Sequence, residues 1–322
     1  MFNQTKKLLA TVAVLMVGTA SWAQDYPTKT VNVVVTYSAG GTTDILTRIL
    51  VEELSEELGQ PFVVENRPGG GTVIGTASVV QAPADGYTLV VAAPAFTVNP
   101  SLRKSLPFSY SDDLVPVARF AATPYFVIAN AELEADDLTG LVELAKADPG
   151  AINYASAGVN GATHLTGELF NLLAGVELTH VPYNGTGPAV LDLVRGDVQV
   201  MFVGLPATQQ HIDEGTLKVL AVISSTPVAG YENIPTSSES GLGRFEAEAW
   251  FGIMAPAGTP SDVVQTLSAA IEARISTDAF KARLENLGAI ESFLGPEAFG
   301  EFLSAEETKW REVIEAAGIE AQ

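Results

Sequence analysis

The residues that could do chemistry in this chain lie in four glycine-containing segments, and the chemistry they favour is the binding of an anion. The first segment, Tyr37–Asp44, follows a β-branched run and precedes a helical pattern. Glycine lets the backbone approach a ligand closely, and the N–H groups and partial positive charge of a helix start attract anions. The alternative for this segment alone is a plain turn in which Thr43 or Asp44 caps the helix.

The second segment, Arg67–Gly75, imitates the glycine spacing of a dinucleotide-binding fingerprint. That fingerprint normally occupies the first strand-to-helix turn, whereas this segment occupies the second. No acidic residue ends the next strand pattern, Tyr87–Ala92. We therefore expect tight turning and helix packing here, and no cofactor.

The third and fourth segments, Ala155–His164 and Pro182–Pro188, place hydroxyl, amide and aromatic groups at two further helix starts. The third segment lacks the Gly-Lys-Ser/Thr ending of a P-loop and the Gly-x-Ser-x-Gly pattern of a nucleophile elbow. It therefore offers groups that can bind a ligand without the signature of phosphate or acyl transfer.

Catalytic patterns are weak. The histidines His164, His180 and His211 have no spacing typical of a zinc site. Ser156, His164 and Asp192 supply the residue types of a hydrolase triad, but a chain of this length offers such trios by chance. A secreted α/β enzyme that acts on a small carboxylic acid stays open as the alternative to a binding protein.

Composition excludes several classes of protein. The chain has 322 residues and no cysteine, so it has no disulfide, thiol nucleophile or cysteine-bound zinc. It has 17 Lys and Arg against 38 Asp and Glu, a formal net charge of −21. Such an acidic balance cannot neutralise phosphates, so we expect no nucleic-acid partner.

The first 23 residues have the features of a secretory signal peptide. Lys6 and Lys7 precede the apolar run Leu8–Val17, which is too short to span a bilayer comfortably. Small residues in Ser21–Ala23 suit a signal peptidase. We therefore expect cleavage near Ala23-Gln24 and an exported, soluble mature protein.

The segments need a scaffold, and the remaining patterns predict an α/β one. Strand and helix signals alternate from Thr30–Thr36 onward, which predicts mostly parallel pairing, with an irregular stretch over 94–117. The length suggests two domains. Ligands in such sheets bind at the carboxyl ends of strands, where all four segments lie.

These segments, with several shorter motifs, resemble the Bug-type (TctC-like) periplasmic substrate-binding proteins of tripartite tricarboxylate transporters over 24–322. Each motif alone is weak, and it is their order along the chain that carries the resemblance. The motifs are Ala39-Gly40-Gly41-x-x-Asp44, Glu65-Asn66-Arg67-Pro68-Gly69, Pro83-Ala84-Asp85-Gly86-Tyr87-Thr88-Leu89, Tyr154-Ala155-Ser156-x-Gly158, His164-Leu165-x-Gly167-Glu168-Leu169-Phe170, His180-Val181-Pro182-Tyr183, Gly196-Asp197-Val198, Trp250-Phe251-Gly252 and Ala255-Pro256-Ala257-Gly258-Thr259-Pro260.

The resemblance implies a non-enzymatic receptor with a two-domain type 2 periplasmic binding protein fold and a ligand cleft between the domains. It implies one domain over 24–122 plus 246–322 and another over 123–245. The ligand is then a small carboxylate, the partner a membrane permease, and the receptor a periplasmic monomer that needs no cofactor or metal.

The resemblance also assigns the ligand contacts. They fall on the strand-to-helix segments and on the end of the strand that contains Val203. The residues are Tyr37, Ser38, Ala39, Gly40, Gly41, Thr42, Asp44, Ala93, Pro94, Ser156, Gly158, Asn160, Thr163, His164, Tyr183, Val203 and Gly204. Apolar Val203 beside Gly204 departs from the acidic or amide residues of many relatives, which disfavours a ligand that carries an ammonium group.

The two segments that resemble carboxylate-binding loops contain no Lys or Arg. The nearest basic residue, Arg48, lies one helical turn past Asp44 and is expected outside the pocket. We therefore predict that neutral donors and helix starts hold the carboxylate.

Overall fold

The computed structural model of the chain describes residues 26–37, 39–40, 42–159, 161–183, 186–228 and 230–321. The predicted ligand contacts Ser38, Gly41 and Asn160 and the predicted cleavage point lie outside the described residues.

The described residues alternate between strands and helices. The strands are β1 Val31–Val35, β2 Phe62–Asn66, β3 Thr88–Ala92, β4 Leu114–Pro124, β5 Phe126–Asn130, β6 Asn153–Ser156, β7 Thr179–Pro182, β8 Val200–Val203, β9 Leu217–Val222, β10 Glu248–Pro256 and β11 Ile290–Leu294. The helices are α1 Thr42–Leu58, α2 Val73–Val80, α3 Ala95–Leu102, α4 Leu138–Ala147, α5 Ala162–Ala174, α6 Thr186–Arg195, α7 Gln209–Asp213, α8 Ser261–Ile275, α9 Asp278–Glu285 and α10 Pro296–Ala316. A short 3-10 helix, Leu205–Ala207, follows β8.

The strands form two sheets. The first has the order β11-β4-β10-β3-β1-β2, and the second has the order β7-β6-β8-β5-β9. β4 ends at Pro124 and β5 begins at Phe126, so Tyr125 alone joins the two sheets at this point. The chain returns to the first sheet between β9 and β10.

The expectation of mostly parallel pairing is wrong. β1 pairs in parallel with β2 and β3, and β6 pairs in parallel with β7 and β8. β10 and β4, which lie next to the passages between the sheets, run antiparallel to their neighbours, and so does β5. Antiparallel pairs arise here because a strand that returns from the other sheet enters from the opposite end.

The expectation of an irregular stretch over 94–117 is also wrong, because this stretch contains α3 and the start of β4. Pro100 lies inside α3 and argues against a helix from sequence alone. Phe96 and Val98 are buried, and α3 packs on α10, so tertiary contacts stabilise a helix that intrinsic propensity disfavours.

The core around β1 fixes the elements on both sides of the first segment. Val33, Val34 and Val35 are fully buried, as a strand covered on both faces requires. On α1, Leu46 and Leu50 are fully buried in the same cluster. The backbone of β1 and that of α1 are therefore anchored. None of the described helices is both long and apolar enough to cross a membrane.

Candidate functional site

A cavity of about 800 Å³ lies where the strand-to-helix loops of both sheets meet. The first sheet contributes the residues that follow its three parallel strands, in accordance with the rule that ligands bind at the carboxyl ends of strands. They are Tyr37, Thr42 and Thr43 after β1, Gly71 and Thr72 after β2, and Ala93, Pro94 and Ala95 after β3.

The second sheet and the joining strands contribute further lining residues. Val159, Gly161, Ala162 and Thr163 follow β6, Thr186 follows β7, and Val203, Gly204 and Ala207 lie at the end of β8 and beyond it. Four further lining residues lie near the passages between the sheets. Thr123 is in β4, Tyr125 joins β4 to β5, and Ala249 and Phe251 are in β10.

The residues proposed from sequence fall into three groups. Those that line the cavity are Tyr37, Thr42, Ala93, Pro94, Thr163, Val203 and Gly204. Those that are described but are not among the lining residues are Ala39, Gly40, Asp44, Ser156, Gly158, His164 and Tyr183. Ser38, Gly41 and Asn160 lie outside the described residues.

Asp44 stabilises the first segment by hydrogen bonds. The residue is only 2 % exposed, and its carboxylate accepts hydrogen bonds from the Gly40 backbone N–H (2.9 Å), Asn66 Nδ2 (2.9 Å) and Arg48 Nε (3.0 Å). The Arg48 hydrogen bond is the main cause that lowers the pKa of Asp44 to about 2. The Gly40 N–H is therefore already engaged, and Asp44 keeps its charge and holds the start of α1, where Thr42 faces the cavity.

A buried polar cluster supports the loop after β6. Ser156 is fully buried, and its Oγ lies 2.6 Å from His180 Nε2. The His180 ring lies against that of His164, with 3.9 Å between the centroids. Burial lowers the pKa of each histidine to about 4, so both are neutral near pH 7. The cluster fixes the base of the loop.

Thr163 connects this support to the cavity. Its Oγ1 accepts the Ala157 backbone N–H at 2.9 Å, and the residue lies at the start of α5. Because the hydroxyl acts as an acceptor in that bond, its proton can be donated to a ligand. Thr163 is thus placed by its own loop and still has a donor for the cavity.

The hydrolase trio Ser156, His164 and Asp192 is not assembled as a catalytic chain. Buried Ser156 contacts His180, while Asp192 accepts hydrogen bonds from Tyr183 Oη (2.9 Å) and Arg195 Nη1 (3.0 Å). Ser156 and Asp192 therefore belong to separate polar groups. Within the part of the chain that the structure describes, no group of three His, Asp or Glu side chains could hold a metal ion.

Sequence reasoning missed the charge in the cavity. Arg103 follows α3 directly, and among the described lining residues it is the only charged side chain. Arg103 was not predicted as a site residue because α3, the helix that places it on the cavity wall, was itself not predicted.

A second missed group is Thr123, near the end of β4. It is 7 % exposed, and its Oγ1 has no hydrogen-bond partner among the described residues. A buried hydroxyl without a partner is costly, so a ligand that supplied a partner for this oxygen would remove that cost. Burial also raises the pKa of Tyr125 to about 12 and that of Tyr37 further, so both phenols stay protonated donors.

The glycine turn after β2 is explained by packing. A Cβ on Gly75 would lie 2.6 Å from the Arg67 carbonyl oxygen and 2.9 Å from Thr36 Cγ2. Gly69, Gly70 and Gly71 all have positive φ angles, which other residues rarely adopt. The expectation of tight turning and helix packing is confirmed, and the turn also places Gly71 and Thr72 on the cavity wall.

Comparison with known proteins shows which family the chain is similar to. Residues 46–319 match the sequence profile of the family described as "Tripartite tricarboxylate transporter family receptor". Protein BugT of Bordetella pertussis is 35% identical over 298 residues, which cover 92% of this chain and 91% of that protein.

Two solved structures are similar to this chain. R. palustris Rpa4515 with adipate has a TM-score of 0.78 and 32% identity, and the match covers 92% of this chain and 100% of that chain. MatC (Rpa3494) from Rhodopseudomonas palustris with bound malate has a TM-score of 0.72 and 30% identity, and the match covers 90% of this chain and 100% of that chain.

Proposed function

Because the chain belongs to the tripartite tricarboxylate transporter family receptors, we propose that it captures a small carboxylate in the described cavity and delivers it to a membrane permease. The observation that carries the proposal is the lining of the cavity. Residues that carry hydroxyl, phenol and guanidinium groups line it, and none of the described lining residues is acidic.

Neutral groups can supply the affinity that such a receptor needs. Thr42 and Thr163 lie at the starts of α1 and α5, where helix N–H groups add partial positive charge. A hydrogen bond to a charged group contributes about 1.5–3 kcal/mol. Three or four such bonds approach the roughly 8 kcal/mol of micromolar binding, less the cost of ordering the ligand. The unpaired Thr123 hydroxyl adds a further donor.

The two sheets support a closing motion. The proposed receptor has one domain over 24–122 plus 246–322 and another over 123–245, with the ligand between these two units. Loops from both sheets line one cavity, so a ligand that contacts both stabilises the closed form. Small-angle scattering should give a smaller radius of gyration when a confirmed ligand is bound, and an unchanged profile at saturation would show a rigid pocket.

The experiment that tests the function is a thermal-shift screen of carboxylates, followed by titration calorimetry and analysis of the recovered ligand. A ligand that binds the native state raises the apparent stability. We expect saturable binding of at least one small carboxylate, recovered unchanged. Conversion of that acid into a product would favour the enzyme alternative instead.

Thr123→Val provides a test of the site with two opposite readouts. Valine has nearly the shape of threonine but no hydroxyl, so it removes the unpartnered buried oxygen. We expect the melting temperature of the free protein to rise by a degree or more, and the affinity for the confirmed ligand to fall about tenfold, the loss of a single hydrogen bond of about 1.4 kcal/mol. Thr266→Val is the control, since this exposed α8 hydroxyl lies away from the cavity lining. If Thr123→Val and the wild type bind the ligand with equal affinity, the Thr123 hydroxyl does not contribute to ligand binding.

The cellular setting follows the family. Family members are periplasmic receptors, and we propose export with cleavage near Ala23-Gln24, a monomeric mature protein, and docking to a permease through surfaces of both units. Mass spectrometry of the mature N-terminus tests the cleavage point. Transport in reconstituted vesicles that proceeds equally well without the receptor would refute the docking.

A further inference from the structure

A second cavity lies behind the strands that join the two sheets, and we infer that it binds a small zwitterion, a molecule with one carboxylate and one ammonium group. The cavity has a volume of about 300 Å³, at the lower end of the range for small-molecule sites. It shares no described lining residue with the larger cavity between the two sheets, the ligand cavity. The inference therefore concerns a separate site and does not depend on the proposed function.

The position of the second cavity follows from the alternation of side chains along the joining strands. Successive residues of a strand point to opposite faces of the sheet. In β4, Thr123 lines the ligand cavity and Pro124 lines the second cavity. In β10, Ala249 lines the ligand cavity and Glu248 lines the second cavity. The loop 223–228 after β9, together with β11 and α10, supplies other lining residues.

Arg119 brings a buried donor without an acceptor to this cavity. The residue is 6 % exposed, its Nη2 lies 2.6 Å from Glu248 Oε1, and its Cζ lies 4.7 Å from the centre of the Phe302 ring. These contacts hold the guanidinium in place, but its Nε has no hydrogen-bond partner among the described residues. A buried donor without an acceptor is costly, so a ligand carboxylate that accepted this N–H would remove the cost.

The acidic side chains that line the second cavity differ in their pairing. Glu248 pairs with Arg119. Glu306 pairs with Lys309. The carboxylate of Glu246 has no ion pair or hydrogen bond within the part of the chain that the structure describes. Glu246 is therefore available to pair with the ammonium group of a ligand.

The charge of the lining favours a ligand that has both groups. Two basic residues and three acidic residues line the second cavity, which gives the described lining a formal net charge of −1. A carboxylate without an ammonium group adds a negative charge to this acidic lining, whereas an amine without a carboxylate leaves Arg119 Nε without an acceptor. A zwitterion supplies a partner for Arg119 and for Glu246 and adds no net charge.

The test is a nuclear magnetic resonance titration of the mature protein, which detects weak binding and locates it. The probes are glycine, β-alanine, γ-aminobutyrate and 5-aminovalerate, because the span between Arg119 and Glu246 sets the best length. Each is compared with the fatty acid and the alkylamine of the same chain length. We expect at least one zwitterion to bind saturably and about fivefold more tightly than either matched compound. The largest chemical-shift changes should fall in the loop 223–228 and in β11.

Two substitutions establish which cavity is occupied. Ser292→Phe adds a ring to the wall of the second cavity, so it should abolish zwitterion binding and leave carboxylate binding in the ligand cavity unchanged. Ala207→Phe adds a ring to the wall of the ligand cavity, so it should leave zwitterion binding unchanged. A spectrum that is unchanged away from the substitution shows that each variant is folded. Zwitterion binding that survives Ser292→Phe would lie outside the second cavity and would overturn the inference.

Glu246→Gln tests the contact with the ammonium group. Glu246 is exposed, and its replacement should weaken zwitterion binding about fivefold. Glu301→Gln is the control, because it removes the same charge from an exposed α10 residue that is not among the described lining residues. Arg119 is left intact, since its removal would leave Glu248 without its partner. The inference is overturned if no zwitterion binds the wild type, if the matched acid or amine binds the second cavity as tightly, or if Glu246→Gln binds like Glu301→Gln.

Discussion

Replacing Gly167 with alanine is expected to lower the free energy of unfolding by about 3 kcal/mol, the upper end of the cost of overpacking a core. Gly167 lies in α5, and a Cβ there would lie 2.2 Å from Tyr154 Cε2 and 2.5 Å from Cζ. The ring cannot easily move aside, because Tyr154 is fully buried, donates to Glu168 Oε1 at 2.5 Å and stacks on His180 with 5.0 Å between the centroids.

The same clash should reach the cavity. His180 holds Ser156 at the base of the loop after β6, so a displaced Tyr154 shifts the loop that carries Thr163. Chemical denaturation measures the stability loss, and calorimetry with the confirmed ligand measures the affinity. Gly300→Ala in α10 is the matched control: its Cβ would meet nothing closer than Pro116 Cγ at 3.5 Å, so alanine there should stabilise by about 0.5–1 kcal/mol. Equal stability of Gly167→Ala and the wild type would contradict the packing argument.

Asp44→Asn is expected to weaken ligand binding about tenfold and to lower the free energy of unfolding by about 2 kcal/mol, the cost of a mispaired buried polar group. Both carboxylate oxygens of Asp44 accept hydrogen bonds, one from the Gly40 N–H and Arg48 and the other from Asn66. Asparagine has only one acceptor oxygen, so its NH₂ group must face another donor. The start of α1 then loses its anchor, and Thr42 loses its fixed position in the cavity.

The pH dependence distinguishes this role from a general loss of charge. The pKa of Asp44 is about 2 in the folded protein, below the roughly 3.9 of an unfolded chain. Its stabilisation is therefore fully present above about pH 4 and is lost as the pH falls through 2. The stability gap between wild type and Asp44→Asn should be constant from neutral pH to pH 5 and should narrow in stronger acid. Asp278→Asn, an exposed acidic residue in the first turn of α9, should show no comparable gap. A gap that stays constant down to pH 2 would contradict the assigned pKa.

The local patterns in the sequence predicted much of the fold. The C-terminal third of the sequence predicts helices over 261–275 and 296–317, and the structure has α8 over the first range and α10, which ends one residue earlier, over the second. The α/β class and the resemblance to periplasmic binding proteins are confirmed by the structural neighbours. Sheet order and strand direction could not be predicted, because they depend on where the chain crosses between sheets. The helix α3 was missed because packing against α10 outweighs the effect of Pro100.

The candidate site was predictable to the extent that it depends on loops with local signatures. Tyr37, Thr42 and Thr163 follow from the pattern of a strand, a glycine turn and a helix start. Arg103 and Thr123 have no such signature, since one follows an unexpected helix and the other lies inside a long strand. A buried hydroxyl or an unpaired cation cannot be recognised in the sequence, because its hydrogen-bond or ion-pair partners depend on the folded structure.

The single-residue link at Tyr125 bears on how ligand specificity can change during evolution. Tyr125 joins the two sheets and also lines the cavity, so one side chain belongs both to the joint and to the pocket. A substitution there that admits a new ligand also alters the joint, and the two effects cannot be selected separately. Arg103 lines the cavity after α3, outside the two strands that Tyr125 joins, so it is free to vary with the nutrient. We expect receptors of this type to diverge at such wall positions while the residue at the joint persists.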